Sequence, residues 1–199
     1  MTAPLNNDIP MIKGTIVAPT LTWIPETYGK DMFQRVLAKA PEQSRKLAEG
    51  PIVSSAWYSL VAFDDLMQLC ALEAQKQTGE KPDIFFRRMV MESGNQALVK
   101  VYKFVMRMFD PTTLIGKGVP LMKRTYNFGE IHVHENVSGK CRLEFSAIPK
   151  AAIESIRQGF PNAIQLVLTG CGATVVDQQI TAVFKPDGGS FDITTTYKM

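Results

Sequence analysis

Two histidines stand two residues apart in FGEIHVHEN. They are His132 and His134, the only imidazoles in a chain of 199 residues. In an extended strand that spacing puts both rings on one face. Glu130 and, across a hairpin, Glu144 would share the face, a donor set with the chemistry of a zinc site. The same residues also make an exposed, charge-paired sheet face. No cysteine or third histidine converges on them, so no metal is assigned. Cys171 lies in LTGCGAT, between glycines that would let a substrate approach. A nucleophilic cysteine needs a base, and both histidines belong to the polar strand face. Cys171 is therefore read as a small buried residue beside a tight turn. GxSxG is absent, and GKGVP has neither the P-loop nor the dinucleotide-binding spacing. No catalytic residue and no cofactor are assigned, and the chain is read as non-enzymatic.

Two further patterns suggest binding. The net charge is only +3, yet residues 81–126 hold nine Lys or Arg against three Asp or Glu. Within that stretch Lys100, Lys103 and Arg107 form one helical stripe, a candidate docking face for an acidic protein partner or a membrane surface, and equally a solvated helix face. No aromatic side chains interleave with these charges in the manner of a single-strand-binding surface, so no nucleic-acid partner is expected. The other pattern is apolar. Trp57, Tyr58, Phe63, Met67, Phe86, Leu98, Val101 and Phe104 gather on two long helices and the approach to them. Such side chains can line an apolar cavity, and they equally pack a core. They are the candidate ligand-binding residues, for a small apolar molecule or a partner's acyl group. The near-heptad seam of the second long helix is a candidate homodimer face.

The elements that must position these residues follow from periodicity. Ile12–Val17 reads as a first strand, after which Pro19 and Pro25 predict an irregular stretch. A helix begins near Gly29 and carries Met32, Phe33, Val36 and Leu37 on one face. Pro41 starts another, closed by Gly50–Pro51. A long helix spans about 58–77, with Leu60, Phe63, Met67, Cys70 and Ala74 at three- and four-residue steps. TGEKP separates it from a second, about 83–109, whose stripe includes Phe86, Val90, Ala97, Val101, Phe104 and Met108. Gly94 on that side permits close approach. A shorter helix over 112–126 is interrupted by GKGVP.

The last third alternates instead. Residues 128–136 and 140–148 form a hairpin in which His134 faces Arg142 and His132 faces Glu144. One side is Glu130, His132, His134, Arg142, Glu144 and Ser146. The other is Ile131, Val133, Cys141, Leu143, Phe145 and Ala147. A helix over 151–160 follows, then strands over 173–184 and 190–198 joined by KPDGG. The plan is α+β: a helical part with two long helices packed on a small antiparallel C-terminal sheet. Residues 1–10 read as a lead-in and 11–199 as one domain, long enough to bury roughly 70% of its unfolded surface. No apolar run approaches the ~20 residues of a membrane helix. Three scattered cysteines and the lack of a signal sequence suggest a reducing, cytoplasmic setting.

KGTIVAP, followed by PETYGKDMFQRVLAKAPEQSRKLAEGPIVSSAWYSLVAFDDL, resembles a paralogous domain family abundant in myxobacteria. That family has a short KG strand, a glycine before a VL helix, and a W-Y-P-x-x-x-F segment. Here the segment is Trp57, Tyr58, Ser59 and Phe63, with serine for proline. The plan is similar to a wider superfamily of heme nitric-oxide-binding domains, vinyl-4-reductase-type ligand domains and transport-particle (TRAPP) subunits. The resemblance implies helices over a small antiparallel sheet, enclosing an apolar pocket, in a sensory or adaptor module. Ligand domains of this group often carry cysteines near the final hairpin. ITAVFKPDGGSFDITTTY has none. The resemblance does not bring heme with it, because an axial histidine must project from a helix into an apolar cavity.

Overall fold

A computed structural model of the chain describes residues 9–95, 108–122 and 124–199. Strand β1 (Met11–Lys13) pairs antiparallel with β2 (Trp57–Ser59). Between them run α1 (Gly14–Tyr28), α2 (Lys30–Lys39) and α3 (Glu42–Glu49). The long helix α4 (Leu60–Thr78) follows, then α5 (Pro82–Gly94) and α6 (Pro111–Met122). The second sheet contains β3 (Glu130–Val137), β4 (Lys140–Pro149), β5 (Thr174–Lys185) and β6 (Gly188–Lys198), in the order β3-β4-β6-β5. Helix α7 (Ile153–Gly170) joins β4 to β5 and packs on α5, β5 and β6. The α+β plan is thus the observed one. Leu98, Val101, Phe104, Lys100, Lys103 and Arg107 lie outside the described residues, as does the rest of the second long helix from 96 to 107.

The first expected strand is mostly helix. β1 ends at Lys13, and α1 runs straight through Pro19 and Pro25. An interior proline costs about 3 kcal/mol. Val17, Trp23, Ile24 and Tyr28 are all buried along this helix, each side chain contributing about 1.5–3 kcal/mol. Tertiary burial therefore offsets the two prolines. The start of α1 is fixed by Gly14, where a Cβ would meet the Val53 carbonyl oxygen at 2.2 Å. Its N–H donates to Ala56 and that of Thr15 to Ser54, while the Tyr58 hydroxyl accepts from Val53 N at 2.7 Å.

α2 and α4 match their expected faces, and α3 lies between the expected breakers. Met32, Val36 and Leu37 are buried on α2, and Leu60, Phe63, Met67, Cys70 and Ala74 on α4. Ser59 caps α4 by accepting from Ala62 N, and Gly79 ends it in the left-handed conformation. Gly94 does allow close approach: a Cβ there would meet a Leu166 methyl of α7 at 2.4 Å. Met108, placed inside by the stripe, is exposed.

GKGVP does not interrupt α6. Asp110, expected only to end the preceding helix, caps this one by accepting from Thr113 N at 2.9 Å, with Pro111 at the first position. Buried Ile115 and Val119 hold the helix through Gly116. Likewise α7 does not stop near Phe160. Ile156, Phe160, Ile164 and Leu168 form one buried row, and the helix continues past Pro161 to Gly170.

Two glycine substitutions separate close approach from propensity. Gly14→Ala should lower stability by about 1–3 kcal/mol, because the methyl meets backbone that cannot yield. Gly159→Ala, in open space within α7, should raise it by about 0.5–1 kcal/mol. Urea denaturation monitored by circular dichroism measures both.

Candidate functional site

The histidine face is built by the β3–β4 ladder. Ile131 stands opposite Phe145 and His132 opposite Glu144, as the alternation requires. A bulge then intervenes, so Glu135, not His134, faces Arg142. His134 instead meets Glu144 at 2.8 Å and His132 meets Glu130 at 3.2 Å. Arg142 turns to the other neighbour and grips Asp192 of β6 through Nε at 3.0 Å and Nη2 at 2.7 Å. The imidazole side chains are 48% and 42% exposed. Each has a carboxylate partner on the outer surface of the sheet. Among the described residues, no group of three His, Cys, Asp or Glu is arranged to hold a metal ion.

The inner face departs from strict alternation at two places. Val133, next to the bulge, is 40% exposed, and Ala147 is exposed with φ at 51°. A second bulge, between Phe145 and Ile148, sends Ala147 outward and returns Ile148 to the core. Bulges re-aim side chains in this way because one extra residue breaks the period of two.

Of the apolar candidates, Phe63, Met67 and Phe86 are buried on α4 and α5. Phe86 meets Phe85 edge-on with centroids 5.4 Å apart. Trp57 and Tyr58 lie half-buried on β2, and Tyr58 packs against the core that contains Phe63, Met67 and Phe86. The Lys13 ammonium stands 3.9 Å over the Trp57 ring, and the Tyr58 ring covers Gly14.

Two aromatic groups escaped the sequence reading. Trp23, Tyr28 and Phe85 pack together between α1 and α5. Their polar edges are held by Arg88, which donates to Glu80 at 3.0 Å and to Glu92 at 3.1 Å, while Trp23 Nε1 donates to Glu92 and the Tyr28 hydroxyl to Glu80. Burial, then the Glu80 hydrogen bond, raises the Tyr28 pKa well above the ordinary phenol. The second group joins Tyr126, Phe128, Phe145 and Phe160. A helical period through Trp23, had Pro19 and Pro25 been discounted, is the signal that would have found the first.

Among the described residues the cysteines have no activating partner. Burial pushes Cys70 up to about 12 and Cys141 to about 11, and raises Cys171, so all three are neutral thiols near pH 7. Cys171 Sγ donates to the Leu168 carbonyl at 3.0 Å, beside Gly172 with φ at 94°. This is a buried residue at a turn.

Two open grooves are lined by other residues. One, of about 610 Å³, lies along Lys30, Met32, Arg35, Glu73, Lys76 and Gln77. The other, of about 550 Å³, lies where Ser146–Pro149 meets the β5–β6 turn. Of the described candidates, Trp57, Tyr58, Phe63, Met67 and Phe86 line neither, and Glu144 of the histidine face lines the second. In the first groove the nearly buried Glu73 accepts from Lys39 at 2.6 Å and Lys76 at 2.9 Å, with Arg35 at 3.8 Å. These bonds, that of Lys39 foremost, hold its pKa down to about 2.

No protein-family profile and no curated protein matches the chain. Solved structures do. An Fe(II) unliganded H-NOX protein from K. algicida is 13% identical and superposes with a TM-score of 0.66, over 94% of this chain and 97% of that one. An oxygen-binding H-NOX domain related to soluble guanylate cyclases gives 0.66 at 11% identity, over 94% and 96%. An H-NOX mutant from T. tengcongensis gives 0.64 at 10%, over 94% and 98%. At this identity the likeness establishes the fold. The chain has the H-NOX fold over nearly its whole length.

The Glu73 cluster has a pH signature. A depressed carboxyl contributes stability above the unfolded value near ~4.3 and loses it as pH falls toward the folded value. Wild-type stability should therefore fall between roughly pH 4.5 and 2 more steeply than that of Glu73→Gln, as read from urea midpoints across that range. Parallel curves would show that Glu73 contributes nothing.

Proposed function

We propose that this chain is a non-enzymatic sensory or adaptor module. It takes a small apolar molecule, or a partner's acyl group, between the long helices and the sheet. It uses the H-NOX fold without imidazole-ligated heme. The observation that carries this reading is the placement of the histidines. An axial ligand must present a neutral imidazole nitrogen to iron from an apolar interior. His132 and His134 point the other way and are paired with Glu130 and Glu144. To turn them inward β3 would have to slip by one residue, which would drive buried Ile131 into solvent. The residues do not fit such a heme.

What supports an apolar ligand is the side of α4 and α5 that carries Phe63, Met67 and Phe86. By their helical spacing in the sequence Leu98, Val101 and Phe104 would continue that row, and Trp57 and Tyr58 lie on β2, which leads into α4. A ligand binding one helix packing better than another shifts the population toward it. The basic stripe of Lys100, Lys103 and Arg107 would transmit that shift to an acidic partner in the cytoplasm, with 11–199 acting as one module. Kinship with the myxobacterial paralogues belongs to the same reading. Among the described residues no helix is long and apolar enough to cross a membrane.

Native mass spectrometry of the chain purified from its own cells tests the proposal. The expected result is a discrete adduct, released by organic solvent. Met67→Trp, which enlarges a buried side chain at the proposed site, should abolish it while circular dichroism is unchanged. No adduct, together with no saturable binding of a fluorescent fatty-acid probe, would overturn the reading.

A further inference from the structure

The two edges of the four-stranded sheet differ in kind. β3 is guarded: it carries Glu130, His132, His134 and Glu135, is bulged at His134, and is packed by α6, with Asn136 Nδ2 donating to the Thr112 carbonyl at 2.7 Å. β5 is packed by α7, with Gln178 Nε2 donating to the Pro161 carbonyl, but among the described residues no strand pairs with its outer edge. Its first part ends in a bulge between Val175 and Asp177, and from Asp177 to Lys185 it pairs with β6 without a break. The seven residues between those ends, Gln178 to Phe184, carry no charge and no proline. Ile180, Val183 and Phe184 are 47%, 51% and 60% exposed. Ile180 and Ala182 stand beside the buried Ile193 and Phe191 of β6, so the core face of the sheet continues onto exposed residues of the edge strand. Natural proteins blunt a long flat edge of this kind unless something pairs with it.

The ends of the regular stretch identify the occupant. Asp177 and Lys185 are opposite charges, both exposed, and equidistant from Thr181. An antiparallel pair of identical strands must match residues of the same parity. With the two-fold axis at Thr181, Asp177 of each copy stands opposite Lys185 of the other, twice over. Ile180 meets Ala182, and Gln179 meets Val183. Moving the axis by one residue to Ile180 sets Asp177 opposite Val183 and Lys185 opposite Val175. Moving it to Ala182 sets Lys185 opposite Gln179 and Gln178 opposite Pro186, which cannot donate. One register alone satisfies both charges and every donor of the stretch.

We propose that β5 is a dimerisation edge on which a second copy of this chain pairs antiparallel about a two-fold axis through Thr181, joining the two four-stranded sheets into one. The junction forms about eight to ten main-chain hydrogen bonds. It merges the two uncovered rows of Ile180, Ala182 and Phe184 into a shared apolar patch. It is an isologous contact, closed at two copies. It requires no ligand and stands apart from the function proposed above.

Sedimentation equilibrium of the full chain, over about 1–200 μM, is the test. A dimer of twice the 22.1 kDa chain mass is expected. Asp177→Lys and Lys185→Asp each set like charges opposite one another at two symmetric places. Each should weaken the dimer about ten-fold or more. The exchanged double variant D177K/K185D should recover to within about three-fold of wild type. Circular dichroism checks that the exposed substitutions leave the fold intact. As a second readout, a spin label on Thr181→Cys should show strong dipolar coupling, since the two positions face each other. A chain monomeric throughout, a dimer indifferent to the single variants, or one not restored by the exchange would overturn the proposal. Uncoupled labels at position 181 would do so as well.

Discussion

The burial of Phe145 organises the molecule. It stands opposite Ile131 on β3 and Phe191 on β6. It packs edge-on against Phe160 of α7, with centroids 5.1 Å apart, and stacks on Phe128 at 6.1 Å. A Cβ at Gly129 would lie 2.2 Å from its ring, so the chain entering β3 takes the one residue that lets the ring in. Because strand side chains alternate, an inward Phe145 dictates an outward Glu144, and the ladder then dictates an outward His132. The same contact that joins the sheet to α7 thus decides that the imidazole faces water.

The helical half is tied by charge as well as by packing. Arg88 reaches the Glu80 and Glu92 carboxylates while covering the Trp23 and Tyr28 rings at 5.9 and 5.7 Å. α1 is thereby clamped to α5 along an aromatic seam whose polar atoms are all satisfied. Glu73 does the corresponding work between α2 and α4, gathering Lys39, Lys76 and Arg35 around one nearly buried carboxylate. An unpaired carboxylate at that depth would be costly. Three cations around it make the helix pair depend on its ionisation.

Much of this was legible as pattern. The α4 stripe, its stop at Gly79, the hairpin turn and the outward histidines all follow from local periodicity and turn chemistry. What was not legible came from burial overriding a local signal. Pro19, Pro25 and Pro161 lie inside helices because the rows around them are buried, and no window of sequence shows what those rows pack against. The bulges at His134 and Ala147 were invisible because a single inserted residue leaves composition unchanged. Of the candidate pocket residues, the periodicity of α4 and α5 made the burial of Phe63, Met67 and Phe86 legible, whereas the place of Trp57 and Tyr58 on β2 depends on pairing with β1, a partner distant in sequence.

An H-NOX fold with its imidazoles turned to solvent separates architecture from chemistry, since function resides in the site and not in the scaffold. The central claim is that neither histidine reaches the interior. Titrating the purified full chain with ferrous heme, while following the Soret band, tests it most directly. The account predicts no saturable, histidine-dependent band, with identical traces for wild type, His132→Ala and His134→Ala. A sharp stoichiometric band that disappears in either variant would contradict it.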